Sequence, residues 1–141
     1  MASHKILLVE DNADDVELTV RAFKKTQSKD DIVVARDGET ALDYLFGTGG
    51  GEPLCPALVL LDINLPGING LEVLRRLREA PTTRRVPVVV LTTSDDDSDV
   101  LRSYDLGVNS YVRKPVEFRD FTGLVQQLGL YWLVTNIRAP Q

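Results

Sequence analysis

The sequence predicts an α/β fold built on a parallel sheet, and three observations carry that expectation. Five short apolar runs recur along the 141 residues, each followed by a segment with helical spacing. The runs are nearly continuous in apolar character rather than alternating, as strands covered on both faces must be. Charged and hydroxyl side chains gather where the runs end, and in an open parallel sheet that edge is where ligands bind.

The first run is Ile6-Leu7-Leu8-Val9, closed by Glu10-Asp11; Val16, Val20 and Phe23 then mark one face of a helix. The second, Ile32-Val33-Val34-Ala35, passes into Arg36-Asp37-Gly38, with Asp37 placed to open the next helix. Ala57-Leu58-Val59-Leu60-Leu61 follows and ends at Asp62. Beyond it Asn69 and Glu72 stand three apart like a capping box, ahead of Leu71, Leu74, Leu77 and Arg78 at helical spacing. The fourth run, Val86-Pro87-Val88-Val89-Val90-Leu91, ends in Thr92-Thr93-Ser94, and Gly107 marks the stop of the helix behind it. Ser110-Tyr111-Val112 is the fifth, ending in Arg113-Lys114-Pro115; Phe118, Phe121, Leu124, Val125 and Leu128 line the last helix. The piece Gly47-Thr48-Gly49-Gly50-Gly51 lacks the Gly-Lys-Ser/Thr ending of a phosphate-binding loop and reads as a turn. Five strands alternating with five helices imply right-handed crossovers. Periodicity leaves the order of the strands open.

Composition narrows the function. At 43% hydrophobic and 26% charged, the chain suits one domain, 1–141, able to bury about two thirds of its unfolded surface without a disulfide or structural metal. Its single Cys55 excludes an internal disulfide and lies in a loop between Pro53 and Pro56, where an incidental thiol is expected rather than a redox site. The N-terminus leads straight into a four-residue apolar run, too short for a signal peptide. Nothing approaches the roughly 20 apolar residues of a membrane span, so a cytoplasmic location is expected. Net charge is −5, from 16 basic and 21 acidic residues. The cluster Arg75, Arg76, Arg78, Arg84 and Arg85 reads as a solvated helix face, and direct DNA binding is not expected. With His4 as the single histidine, no zinc cluster or histidine base is available.

Four of the five runs end in chemically active groups: Glu10 and Asp11, Asp62, Thr92, and Lys114. Each has an ordinary reading by itself. An Asp after a strand caps a turn, Glu10-Asp11 with Asn12 caps a helix, Lys114 is a surface lysine, and Thr92 is a buried hydroxyl bonded to backbone. Their coincidence at the same end of successive strands points instead to one shallow cleft. Three carboxylates crowded together resist ionising unless a cation compensates them. An all-oxygen donor set calls for a hard cation, and Mg²⁺ suits one or two carboxylates plus a phosphate oxygen. Lys114 adds fixed positive charge and Thr92 a donor, completing a site for a dianionic phosphoryl group.

The segments Ile6-Leu7-Leu8-Val9-Glu10-Asp11, Leu60-Leu61-Asp62-Ile63-Asn64-Leu65-Pro66-Gly67-Ile68-Asn69-Gly70, Val88-Val89-Val90-Leu91-Thr92 and Tyr111-Val112-Arg113-Lys114-Pro115 resemble the receiver domains of bacterial two-component response regulators. The resemblance covers about residues 5–128 and leaves 129–141 as a C-terminal extension. It implies a flavodoxin-like receiver fold, a doubly wound sheet of order 2-1-3-4-5 with five helices. It implies that Asp62 accepts a phosphoryl group from a phosphohistidine on a sensor histidine kinase. Asp11 would coordinate Mg²⁺ directly, Glu10 through a water, and Asn64 through its backbone carbonyl. Lys114 would pair with Asp62 and then with a phosphoryl oxygen. Thr92 would bond the phosphoryl group and draw its loop inward, with Tyr111 turning into the space vacated. A cis peptide at Lys114–Pro115 is also implied, and signal output as a shift in the packing of the fourth helix, fifth strand and fifth helix.

Some features depart from the common pattern. Thr93 stands where many receivers carry Ala or Gly, and its bulk is expected to slow access to the phosphoryl group. A longer stretch, roughly Leu45 to Pro56, separates the second helix from the third strand. No output domain is recognisable, so a stand-alone phosphoacceptor switch is expected rather than an enzyme. The tail Leu128-Gly129-Leu130-Tyr131-Trp132-Leu133-Val134 is similar to that of regulators paired with bacterial phytochromes and hybrid kinases. Tyr131 and Trp132 are either a final turn packed on the core or a homodimer contact. Two competing functions remain at this level. One is a Mg²⁺-dependent phosphohydrolase using Asp62 as covalent nucleophile, although such enzymes usually place a second Asp where Asn64 stands. The other is a binding module with a vestigial site.

Overall fold

The computed structural model describes residues 5–25 and 31–140. Strands β1 (Ile6–Val9), β2 (Ile32–Ala35), β3 (Leu58–Leu61), β4 (Val88–Thr92) and β5 (Ser110–Arg113) alternate with helices α1 (Ala13–Lys24), α2 (Gly38–Phe46), α3 (Gly70–Glu79), α4 (Asp97–Asp105) and α5 (Phe118–Leu130). A π-helical turn, Tyr131–Thr135, follows. Every ladder is parallel and the order is β2-β1-β3-β4-β5, the doubly wound arrangement the resemblance implied.

The sheet explains why its strands do not alternate. Ile6 and Leu8 of β1 and Leu58 and Leu60 of β3 pack on one side with Phe23, Phe121, Val125 and Leu128 of α1 and α5. Leu7, Val9, Val59 and Leu61 point the other way, against Leu42, Leu45, Leu71, Leu74 and Leu77 of α2 and α3. Both faces of β1, β3 and β4 are therefore buried, and each large side chain so covered contributes about 1.5–3 kcal/mol. The edge strands β2 and β5 are less covered.

Caps start the first three helices. The side chains of Asn12, Asp37 and Asn69 accept hydrogen bonds from the N–H groups of Asp15, Thr40 and Glu72 at 3.0, 2.7 and 3.1 Å. The expected capping box is only half made. The Glu72 carboxylate turns forward to Arg75 and Arg76 at 2.5–2.8 Å, because two guanidiniums one turn along attract it more strongly than a neutral amide. Gly107, at φ 95°, follows α4 where a stop was expected. Gly47 closes α2 in the left-handed conformation (φ 70°), and the glycine-rich stretch beyond it is a turn.

Several expectations need adjusting. Phe118 is 59% exposed, and the packed seam of α5 begins one turn later at Phe121. The arginine cluster is a solvated face, as expected, except at Arg78. Arg75 and Arg76 pair with Glu72 and Glu79, and Arg78 donates to the carbonyls of Arg84, Val86 and Gly107 and to Asn109 Oδ1. In the tail, Trp132 is half-buried against the Phe23 side of the core, and exposed Tyr131 meets it edge to face at 5.0 Å. Cys55 is exposed, and His4 lies outside the described residues. No helix among the described residues is long and apolar enough to cross a membrane.

Candidate functional site

Register brings the polar strand ends together. Val9 lies opposite Leu61, so Glu10 and Asp62 emerge side by side, and the N–H of Asp62 donates to the Val9 carbonyl at 3.0 Å. The N–H of Glu10 bonds to the Ala35 carbonyl, which keeps Glu10 in line with the strand and buries it to 3% exposure. Asp11, one residue on, is exposed. Oxygens of Glu10, Asp11 and Asp62 lie within 4.8 Å of one another. On the far side, Thr92 pairs with Arg113 in the β4–β5 ladder, and the N–H of Lys114 donates to the Thr92 carbonyl at 2.7 Å. That bond aims the lysine back over the strand ends.

Asp62 is held from three directions. Its Oδ1 accepts from the Thr92 hydroxyl at 2.8 Å and from the N–H of Asn64 at 3.1 Å, and its Oδ2 faces the Lys114 ammonium at 3.1 Å. The ammonium also reaches Glu10 Oε1 at 2.6 Å and Asp15 Oδ2 at 2.8 Å. Among the described residues no buried side-chain nitrogen or oxygen lacks a partner. Burial would pull the Lys114 ammonium toward neutrality, but hydrogen bonds to Asp15 and Glu10 and the Asp62 charge outweigh it and hold its pKa above the usual lysine range. Glu10 is pushed up to about 7, chiefly by burial, with Lys114 offsetting part of that cost.

The loop after β4 is braced as well. Exposed Thr93 precedes Ser94, whose hydroxyl donates to Asp99 Oδ2 at 2.7 Å and whose carbonyl accepts from the Tyr111 hydroxyl at 2.8 Å. The half-buried Tyr111 ring packs against the α2–α3 side of the core, and burial raises its pKa.

The structure brings Glu10, Asp11, Asp62, Thr92 and Lys114 into one cluster and sets Tyr111 beside it. It corrects one expectation. No peptide bond among the described residues is cis, and Lys114–Pro115 is trans. The ammonium is placed by the Lys114 N–H and by three carboxylates, all independent of the proline, and a trans X–Pro bond is favoured by about 0.5–1 kcal/mol. Two contributors escaped the sequence reading. Asp15, in the first turn of α1, supplies the third carboxylate on Lys114; its signal was a position three residues past the Asn12 cap, where a side chain can turn back over the strand ends. Gly70 is the other. A Cβ there would collide with the Asp62 carbonyl and lie 2.6 Å from Ile63 Cα, so only glycine lets α3 start this close to the β3 end.

Four acidic groups around one ammonium leave an excess of negative charge on hard oxygen donors. Such an all-oxygen donor set suits a hard divalent cation, while one Asp62 oxygen faces a hydroxyl donor and the other an ammonium.

Comparison with known proteins identifies the family and the fold. Residues 6–126 match the family model described as the response regulator receiver domain. The chain is 46% identical over 136 residues to the probable methanogenesis regulatory protein FilR2 of Methanothrix harundinacea, covering 96% of this chain and 86% of that protein. It is 40% identical over 131 residues to the response regulator Rcp1 of Synechocystis, covering 92% and 89% respectively. A crystal structure of the phosphorylated cyanobacterial phytochrome response regulator RcpA superposes with a TM-score of 0.89 at 37% identity, over 99% of this chain and 100% of that one. The Mn²⁺-bound form of Rcp1 gives 0.86 at 38% identity, over 97% and 99%. The matched stretch contains Glu10, Asp11, Asp62, Thr92 and Lys114, and the chain belongs to the response regulator receiver domain family.

Proposed function

We propose that this chain is a stand-alone response regulator whose Asp62 accepts a phosphoryl group in the presence of Mg²⁺. The observation that carries the reading is the double engagement of Asp62, with Thr92 on one carboxylate oxygen and Lys114 on the other, beside Glu10 and Asp11. Those three acidic side chains, with the Asn64 backbone carbonyl, would hold the ion. When bound, Mg²⁺ supplies positive charge that offsets the repulsion between Asp62 and an incoming phosphoryl group.

The chain's own residues do the rest by position. An Asp62 carboxylate oxygen attacks phosphorus in line with the leaving group. The new O–P bond forms as the N–P bond of a kinase phosphohistidine breaks, and the electron pair stays on the imidazole nitrogen. Lys114 and Thr92 need only turn from the carboxylate to the phosphoryl oxygens, a short movement that avoids large reorganisation. Thr92 belongs to the strand end whose loop Tyr111 braces through Ser94, so a change at the acceptor is felt at α4, β5 and α5. Exposed Thr93 borders this entrance and would slow traffic to the acceptor. Asn64 offers no acid–base group, which favours a switch over a phosphohydrolase.

Relatives of similar length support the stand-alone reading, and RcpA, a phytochrome response regulator, supports a phytochrome-type histidine kinase as cytoplasmic partner. Leu130, Tyr131 and Val134 are exposed beside the half-buried Trp132, a surface suited to a homodimer contact. Direct DNA contact is not part of the reading. Incubation with acetyl phosphate and Mg²⁺, followed by intact mass, tests the core claim. The wild type should gain one phosphoryl group and Asp62→Asn none; equal labelling of both would refute it.

A further inference from the structure

Lys114 carries three ammonium protons, and three carboxylates take them: Glu10 at 2.6 Å, Asp15 at 2.8 Å and Asp62 at 3.1 Å. The three are not equivalent. Glu10 and Asp62 also belong, with Asp11, to the group whose oxygens can converge on one cation. Asp15 does not. A cation held by Glu10 and Asp62, and then a phosphoryl group on Asp62, would divert two of the three anchors of Lys114 at the moment its charge is needed. Asp15 is the anchor that nothing diverts.

The local structure makes it a firm one. The Asp15 N–H is capped by Asn12 Oδ1 at 3.0 Å, and its carbonyl accepts from the Thr19 hydroxyl at 2.7 Å. The backbone of this first turn is thereby fixed, and the side chain, 22% exposed, reaches a lysine 99 residues further along the chain. The acidic pair at the end of β1 and the lysine after β5 are thus joined through α1 as well as through Asp62.

We infer that Asp15 is a positioning residue for phosphoryl acceptance, holding the Lys114 ammonium over Asp62 after Glu10 and Asp62 have turned to the metal and the phosphoryl group. The inference rests on the phosphoacceptor reading above. The covalent step is unchanged: Asp62 oxygen bonds to phosphorus, the leaving group departs with its electron pair, and Asp15 exchanges neither proton nor bond. Its role is to keep one positive charge in register, and misplacement of such a charge slows transfer.

Two measurements on the full chain test this: Mg²⁺ affinity by calorimetry, and the rate of Asp62 labelling by acetyl phosphate. Asp15→Asn preserves size and the backbone cap. It should bind Mg²⁺ within about twofold of the wild type while labelling about tenfold more slowly. Asp15→Glu, which restores the charge, should recover most of the rate. In a Lys114→Ala background, Asp15→Asn should have no further effect on labelling, because Asp15 acts through that lysine. Wild-type labelling by Asp15→Asn overturns the inference, as does a parallel loss of metal affinity and rate, or an equal loss with and without Lys114. A wild type that takes no label on Asp62 overturns the phosphoacceptor reading and this one with it, so the two failures are told apart by the wild type alone.

Discussion

The hydroxyl of Tyr111 donates to the carbonyl of Ser94 at 2.8 Å, fastening the loop after β4 to the middle of β5. Thr92, two residues before Ser94, donates its own hydroxyl to Asp62. Asp62 and the α4–β5 side are therefore separated by a few hydrogen bonds. Tyr111→Phe keeps the packed ring and deletes that bond. It should cost about 1 kcal/mol in urea unfolding and speed amide exchange at Ser94 to Asp96. Unchanged exchange there would show that the loop is held by Ser94 and Asp99 alone.

Gly70 stands against the backbone of Asp62 and Ile63, with space for hydrogen but not for a methyl group. Gly70→Ala should destabilise the chain by about 1–3 kcal/mol, because either α3 or the β3 end must move. It should also slow labelling of Asp62 by acetyl phosphate, since the same shift displaces the acceptor. A stable variant labelled at the wild-type rate would mean the helix start can recede without disturbing Asp62.

Lys114 is 8% exposed among three carboxylates. Lys114→Met leaves those charges uncompensated and should cost about 3 kcal/mol or more in the absence of divalent ions. If Mg²⁺ takes over part of the neutralisation, the rise in Tm on adding it should be larger in Lys114→Met than in the wild type. Equal rises in the two proteins would argue that the lysine and the ion do not compete for the same charge.

Glu72 is held down to about 2 by hydrogen bonds from Arg75 and then Arg76. A carboxylate whose pKa is lower folded than unfolded stabilises the fold above its ordinary value near 4.5 and loses that contribution as pH falls toward 2. Glu72→Gln should flatten the stability profile across this acid window and leave neutral pH less sensitive to added salt, since an exposed pair is screened. A profile parallel to the wild type would remove Glu72 from the acid limb.

Arg78 runs partly buried beneath the α4–β5 connection, donating to three carbonyls and to Asn109 Oδ1, and burial lowers its pKa. Arg78→Met fills similar space but removes the guanidinium donor from the three carbonyls, while Asn109 Oδ1 keeps the Val88 N–H. Thermal unfolding should show a loss of about 1–3 kcal/mol, well above that of Arg84→Met or Arg85→Met. Similar losses at all three positions would return the cluster to a plain solvated surface.

The sequence by itself determined what depends on neighbours a few residues away. The five apolar runs became strands because continuous Val, Leu and Ile segments such as Val59 to Leu61 must be covered on both faces. Asp37 and Asn69 opened helices because a cap reaches only three residues along the chain. The meeting of Glu10, Asp11, Asp62, Thr92 and Lys114 was legible too, since parallel strands deliver their ends to one edge; the strand order came from the family resemblance.

Only the tertiary structure decided the contacts that span long separations. Asp15 reaching Lys114 across 99 residues, Arg78 serving the Gly107 and Val86 carbonyls, and Gly70 pressed against Asp62 depend on how helices seat on the sheet. Exposure of Phe118 depends on the same seating. Periodicity and capping are energies of local chain geometry. These distant pairings are set by register and helix packing, for which a local pattern holds no term.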